Sequence, residues 1–367
     1  MTDKVIPIPR ARRPSLTPFI TNAWYVAAWA GELGPECPLA RTVTGVPLAL
    51  WRDADGRPAA FMDRCPHRGA PLSLGRVEGD SLRCGYHGLR FDAGGRCVEV
   101  PGQARIPSTA CVRSVPVVER DRWIWVWMGA AELADPGRIP SLPWLDDPGW
   151  SYRPGYVGYA VDHRLLIDNL ADFSHLTYVH AATFGVGDSY ERFPAVLERL
   201  DDGVRFTRWM LDVQPAAFQA RLGGMTGHVD RWMIHTLTLP GLLVLDTGAA
   251  PAGTGAPQGA RIGAFETRGV QAITPETATT THYFFAQPHP IVDARRDEVS
   301  DAIHATLLRA FEEDRRVLEA QQRTLAADPG FVPVPIAADA GLQHLRRIRD
   351  RRLADEHAAR VRTATGT

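Results

Sequence analysis

Apolar positions in the first third of the chain come in short runs that end at Gly, Pro or Asp. The folded part starts at Asn22–Trp29, and Leu39–Val46, Pro47–Trp51 and Ala59–Asp63 follow as short strands. That punctuation is the hairpin pattern of a small antiparallel β domain. Gly88–Arg96 adds a strand with a Gly-Gly turn, and Val115–Glu119 and Trp123–Trp127 close the domain. Trp123, Trp125 and Trp127 recur at period two, so they share a face and are expected to pack into a core.

Beyond residue 150 the pattern mixes periods. Tyr156–Val161, Val204–Leu211, Asp230–Leu239, Leu242–Asp246 and Thr279–Phe285 read as strands, and Asn169–His180 as a helix. A long amphipathic helix spans Asp297–Ala326, with Ile303, Leu307, Phe311, Leu318 and Leu325 as its apolar stripe. His344–Arg362 is helical in pattern, and its alternating charges predict a solvated face. The resulting division is a flexible arm (1–18), a β domain (19–130), a connection rich in Pro, Asp and Gly (131–152), a larger mixed domain (153–340) and a charged tail (341–367). Gly248–Gly259 reads as an exposed, mobile loop of small residues.

Composition narrows the function by exclusion. With 367 residues the chain has room for two domains with sizeable cores. A net charge of −1 gives no electrostatic case for nucleic acid or an anionic membrane surface. The five cysteines are too few for a disulfide framework, and Cys37, Cys97 and Cys111 are expected as reduced structural residues. No signal segment or spanning apolar run is visible, which makes a cytoplasmic location the expectation.

The candidate chemistry starts at Cys65-Pro-His67-Arg-Gly69 and Cys84-Gly-Tyr-His87-Gly88. The spacing is C-x-H, sixteen residues, then C-x-x-H. Each loop offers one thiolate and one imidazole. That set suits a two-iron cluster with sulfur ligands on one iron and nitrogen ligands on the other; replacing two Cys by His raises its potential. A zinc site is the competing reading, but zinc modules pair Cys with Cys and His with His, whereas each loop here mixes the two.

These loops resemble the Rieske iron–sulfur motif. Asn169-x-x-Asp172-x-x-His175-x4-His180 in turn resembles the mononuclear iron motif of Rieske oxygenases. The resemblance runs from about Asn22 to Asp350 and is closest to the vanillate O-demethylase and dicamba monooxygenase type. Val100-Pro-Gly-Gln103, Arg164–Asn169 and Ile273–Thr277 support it, as does Leu89 where many Rieske oxygenases carry Trp.

The resemblance implies an α+β fold, an antiparallel Rieske domain followed by a helix-grip catalytic domain. It implies one Rieske [2Fe-2S] cluster on Cys65, His67, Cys84 and His87, and one mononuclear Fe(II) on His175, His180 and an acidic residue. Two imidazoles and a carboxylate on one face leave positions open for dioxygen. Residues five apart on a straight helix differ by about 140°, so a π-bulge, kink or helix end is expected between His175 and His180. Of Glu312, Glu313 and Asp314, only Asp314 falls within the apolar stripe; a carboxylate facing a core needs a partner or a metal. The resemblance also points to Asp314. It assigns Asp172 as the bridge between metal sites, with Asn169 beside it.

The chain carries no dinucleotide fingerprint, so a separate protein must supply the electrons; the resemblance implies an NADH-dependent flavin and iron–sulfur reductase. A head-to-tail homotrimer is implied. The expected reaction is oxidation of a small aromatic substrate by O2, foremost O-demethylation of a methoxy-aromatic acid with release of formaldehyde. Hydroxylation or N-demethylation of another substrate is the alternative, and a non-enzymatic electron carrier is the alternative of another class. His235, Gln271 and His282 are the polar candidates for the substrate pocket.

Overall fold

The computed structural model describes residues 19–184, 192–291 and 294–365; the expected arm, residues 1–18, lies outside them. The first domain is built from β1 (Trp24–Trp29), β2 (Leu39–Val43), β3 (Val46–Arg52), β4 (Pro58–Met62), β5 (Arg76–Glu78), β6 (Ser81–Arg83), β7 (Arg90–Asp92), β8 (Cys97–Glu99), β9 (Val117–Arg120) and β10 (Trp123–Trp127). They form three antiparallel sheets, in the orders β1-β10-β9, β2-β3-β4 and β5-β6-β7-β8. The expected strands are present within one to three residues at each end, and Gly94–Gly95 does turn the chain between β7 and β8.

The second domain contains β11 (Trp150–Ser151), β12 (Gly155–Tyr159), α1 (His163–Ala171), β13 (Val196–Arg199), β14 (Gly203–Val213), α2 (Ala217–Gly223), β15 (Val229–Thr238), β16 (Leu242–Pro251), β17 (Phe265–Pro275), β18 (Thr281–Ala286), β19 (His289–Pro290), α3 (Arg296–Ala327) and α4 (Ala340–Thr365). Seven strands form one antiparallel sheet in the order β12-β18-β17-β16-β15-β14-β13.

Alternation along these strands gives the sheet two apolar faces. Leu242, Val270, Ala272 and Phe284 turn to one face and pack on Trp24, Trp29, Trp123, Trp125 and Trp127. The tryptophans thus form the layer between the domains. Leu243, Leu245, Tyr283 and Phe285 turn to the other face, onto Phe311 and Leu318 of α3. This is the expected α+β architecture, a sheet that grips a long helix.

Three expectations change. Residues 131–152 are a packed strap, because Ile139, Leu142 and Leu145 are buried against the tryptophan layer. Gly248–Pro251 belongs to β16, so the loop of small residues is shorter than expected. The small residues serve packing there: a Cβ on Gly248 would stand 2.4 Å from the Trp232 ring. The charged tail is a helix with one buried face, since Leu342, Leu345 and Ile348 join the main core. Spaced by three, they make a narrow stripe that the surrounding charges mask. No helix among the described residues is long and apolar enough to cross a membrane.

Candidate metal centres and substrate cavity

The two cluster loops repeat one design. Cys65 N donates to Ala70 O (2.8 Å) and Gly69 N to Cys65 O (2.9 Å); Cys84 N donates to Leu89 O (2.8 Å) and Gly88 N to Cys84 O (3.1 Å). Gly69 and Gly88 sit at φ +72° and +74°, where a Cβ is strained. Cys65 and Cys84 are 2% exposed, whereas His67 is exposed and His87 lies at the rim. The two rings are 4.5 Å apart and steeply tilted.

Burial and the adjacent Cys84 push the Cys65 thiol up to about 11. A bound cation is what makes such thiols thiolates. One thiol and one imidazole on each of two matching loops fit a two-iron cluster with sulfur ligands on one iron and nitrogen ligands on the other. His175, His180 and Asp314 form a second group, with all donor atoms within 4.8 Å of one another.

The second centre is made by a helix that stops. The expected helix over 169–180 ends at Ala171. Asp172 leaves helical geometry (φ −140°, ψ 109°), and its carboxylate accepts from Ser174 N, which starts a 3₁₀ turn over Phe173–Thr177. Asp favours such local bonds over a helix interior. The required break therefore comes before both histidines, and the turn stops between them. The His175 and His180 ring centroids lie 5.3 Å apart, edge to face.

Each Nδ1 has its own acceptor. His175 Nδ1 lies 2.7 Å from the Asp172 main-chain oxygen, and His180 Nδ1 lies 2.8 Å from Glu313 Oε2. Those bonds place the proton on Nδ1 and leave both Nε2 lone pairs toward Asp314 Oδ1, at 3.7 and 3.3 Å. Asn169 Nδ2 donates to the same Oδ1 (3.1 Å). His180 and Asp314 are 2% and 4% exposed. Burial holds the His175 pKa below its ordinary value despite Asp314. For His180, burial lowers the pKa, but the neighbouring Asp314 and Glu313 carboxylates outweigh it and raise it.

One expectation is corrected here. Glu313 does not point away. It receives His180 Nδ1 and, at 2.5 Å, Thr183 Oγ1. Only the tertiary fold brings Thr183 and His180 against α3. Glu312 does face outward, to Arg315 and Arg316. Within the chain, it is the main-chain oxygen of Asp172 that orients the iron histidine; its carboxylate accepts from Ser174 N and Oγ.

A cavity of about 150 Å³ opens on His175, His180 and Asp314, walled mainly by apolar residues of the sheet and α3. Gln271 lines it and accepts the Tyr283 hydroxyl. His235 does not reach it. That ring is stacked between Phe173 and Phe206 (centroids 4.1 and 4.7 Å) and burial drops its pKa to about 3. His282 is also elsewhere, bonded to the Tyr156 hydroxyl and to Thr42 O, where it ties β2 to the large sheet. The polar cavity residues that sequence reading missed are Arg231, Gln219, Thr247, Thr267, Gln287 and Thr306. The signal for Arg231 was available: a lone cation among apolar residues of a strand.

Comparison with known proteins agrees with this geometry. Residues 23–115 match the Rieske [2Fe-2S] domain, and residues 159–355 match the vanillate O-demethylase oxygenase C-terminal domain. The chain belongs to the vanillate O-demethylase type of Rieske oxygenases. It is 44% identical to the iron–sulfur subunit of the toluene-4-sulfonate monooxygenase system of Comamonas testosteroni, over 92% of this chain and 98% of that one. It is 39% identical to a vanillate O-demethylase oxygenase subunit of a Pseudomonas species, over 93% and 97%. Dicamba monooxygenase bound to dicamba superimposes with a TM-score of 0.83 at 35% identity, over 93% of this chain and 99% of that one. This Rieske oxygenase carries a [2Fe-2S] cluster and a mononuclear iron, acts as an oxygenase component and receives its electrons from a separate reductase.

Proposed function

We propose that the oxygenase demethylates a methoxy-aromatic acid and releases formaldehyde. One observation carries this reading: the His175–His180–Asp314 centre opens into a mainly apolar cavity about one ring in size. An apolar cavity of roughly 150 Å³ holds a benzene-sized ligand. When bound, the mononuclear iron supplies oxygen activation, with electrons delivered through the cluster.

The chain's own residues do the rest. His175, His180 and Asp314 hold the iron, and Cys65, His67, Cys84 and His87 hold the cluster. Asn169 and Glu313 fix the iron ligands, so their geometry survives the change in charge at each turnover. Phe311, Leu245 and Leu307 exclude water from the ring and its methoxy carbon. One oxygen atom enters the methyl C–H bond, and the other leaves as water with two electrons and two protons. The hydroxymethyl ether then breaks to a phenol and formaldehyde.

Asp172 serves as the bridge between an iron centre and the cluster of a neighbouring copy in a homotrimer. The reductase uses NADH and a flavin, and the system is cytoplasmic. A second reading has its own support: the similarity to a toluene-4-sulfonate monooxygenase favours hydroxylation of a ring methyl group. Formaldehyde and oxygen uptake, measured with a surrogate reductase on methoxy- and methyl-aromatic acids, separate the two. Formaldehyde equal to oxygen consumed supports demethylation. An alcohol without formaldehyde establishes hydroxylation, and cluster reduction without oxygen uptake defeats both.

A further inference from the structure

Among the described residues, the substrate cavity contains one cationic side chain outside the metal centre. Arg231 lines the cavity from β15 and is 7% exposed. We propose that Arg231 binds the acid group of the aromatic substrate and thereby fixes which end of the ring faces the iron. This proposal rests on the aromatic-acid reading and deepens it.

The register of the sheet supplies the geometry. Met210, Arg231, Ala249 and Phe265 form one row across β14–β17. Helix α2 closes this end of the cavity, since Phe218 packs on Phe265 (6.4 Å between rings). The same helix brings Gln219, 1% exposed, whose Oε1 is taken by Ala216 N (3.0 Å). That bond leaves the Gln219 amide group as a donor. The α2 end of the cavity therefore presents hydrogen-bond donors; the next row of the sheet carries Met233, Thr247 and Thr267, and Leu245 stands beyond it.

The iron end lies further along the same strand. His235 shares the face of Arg231, four residues on, and Phe173 beside His175 stacks on it. Four strand residues span about 13 Å. Side chains reach inward from both ends, and the remaining length suits one ring with its acid group and its methyl or methoxy carbon on opposite sides. A planar guanidinium matches a carboxylate or sulfonate with two parallel bonds. The acid group thus sits under α2, and the carbon to be oxidised, para or meta to it, meets the iron centre. An ortho methoxy group is held beside the arginine, away from the iron.

The test uses the iron-loaded holoenzyme and the variants Arg231→Gln and Arg231→Lys, with the Rieske absorption spectrum and melting temperature as controls for folding. Binding of 4-methylbenzenesulfonate and 4-methoxybenzoate is measured by calorimetry without reductase, beside the neutral 4-methoxybenzamide. R231Q should weaken the anions about 30- to 100-fold and leave the amide nearly unchanged, with R231K between. With reductase present, wild type should oxidise para and meta substrates and spare ortho ones, a preference lost in R231Q. Equal losses for anion and amide, or no loss for either, overturn the proposal. If wild type binds the anions through Arg231 yet oxidises none, the demethylation reading fails and the anchor stands.

Discussion

At the scale of the residue, the iron centre depends on which atoms are left unbonded. His175 and His180 each commit Nδ1 to an oxygen acceptor, so each presents Nε2 to Asp314. His175→Ala and Asp314→Ala should therefore lose the mononuclear iron and keep the cluster, read as total iron against the Rieske spectrum. Loss of the spectrum as well would contradict two independent centres. Glu313→Ala removes the acceptor for His180 and should weaken iron binding about 10- to 100-fold without touching the cluster. Iron retention during dialysis against a graded chelator checks this, and unchanged retention would reduce Glu313 to a surface acid.

At the scale of the element, α1 positions Asn169 and ends where the iron turn begins. Asp162 caps its start, accepting from Arg164 N at 2.9 Å. Burial works against the Asp162 charge, but bonds to His163 and Arg164 outweigh it and hold the pKa well below the usual carboxylate range. The sign follows from that depression. The stabilisation is full above the unfolded-state value of about 3.9 and drains away as pH falls through the folded value. Asp162→Asn should cost about 1 kcal/mol at pH 7, with the gap to wild type narrowing below about pH 4. Urea unfolding at pH 7 and pH 3 decides it, since a gap independent of pH would exclude the charge as the cause.

At the scale of the whole molecule, the chain ends hold the domains together. Glu356 on α4 accepts from Thr21 N (2.9 Å), Thr21 Oγ1 (2.7 Å) and Asn22 N (2.9 Å), just before β1. Glu356→Ala strands three donors and should cost about 2–3 kcal/mol, seen as a lower urea midpoint by both cluster absorbance and tryptophan fluorescence. A midpoint that moves by one probe alone would mean the domains unfold separately. The electron path belongs to this scale too. Asp172→Asn preserves an acceptor for Ser174 and the main-chain oxygen for His175, so both metals should stay bound. Stopped-flow oxidation of the reduced cluster with substrate and oxygen should nevertheless slow by more than tenfold if the Asp172 charge couples the centres; an unchanged rate would remove Asp172 from the path.

The sequence by itself determined the chemistry and most of the strands. Cluster loops are local: Cys65–Gly69 and Cys84–Gly88 each close on hydrogen bonds within six residues, so their spacing survives in one dimension. Period-two runs likewise marked β14, β15 and β18, and one apolar stripe marked α3 and singled out Asp314. The tertiary structure alone decided what depends on distant partners. Phe265–Pro275 carries Glu, Arg, Gly and Gln among its apolar residues, and only pairing with β16 and β18 makes it a central strand. Gly248 looked like loop until Trp232 lay over it. Glu313 and His180 are 133 residues apart, and Arg231 reaches the iron cavity through the sheet's register. A residue's type and spacing set which bonds it can make; the fold sets which atoms come close enough to make them.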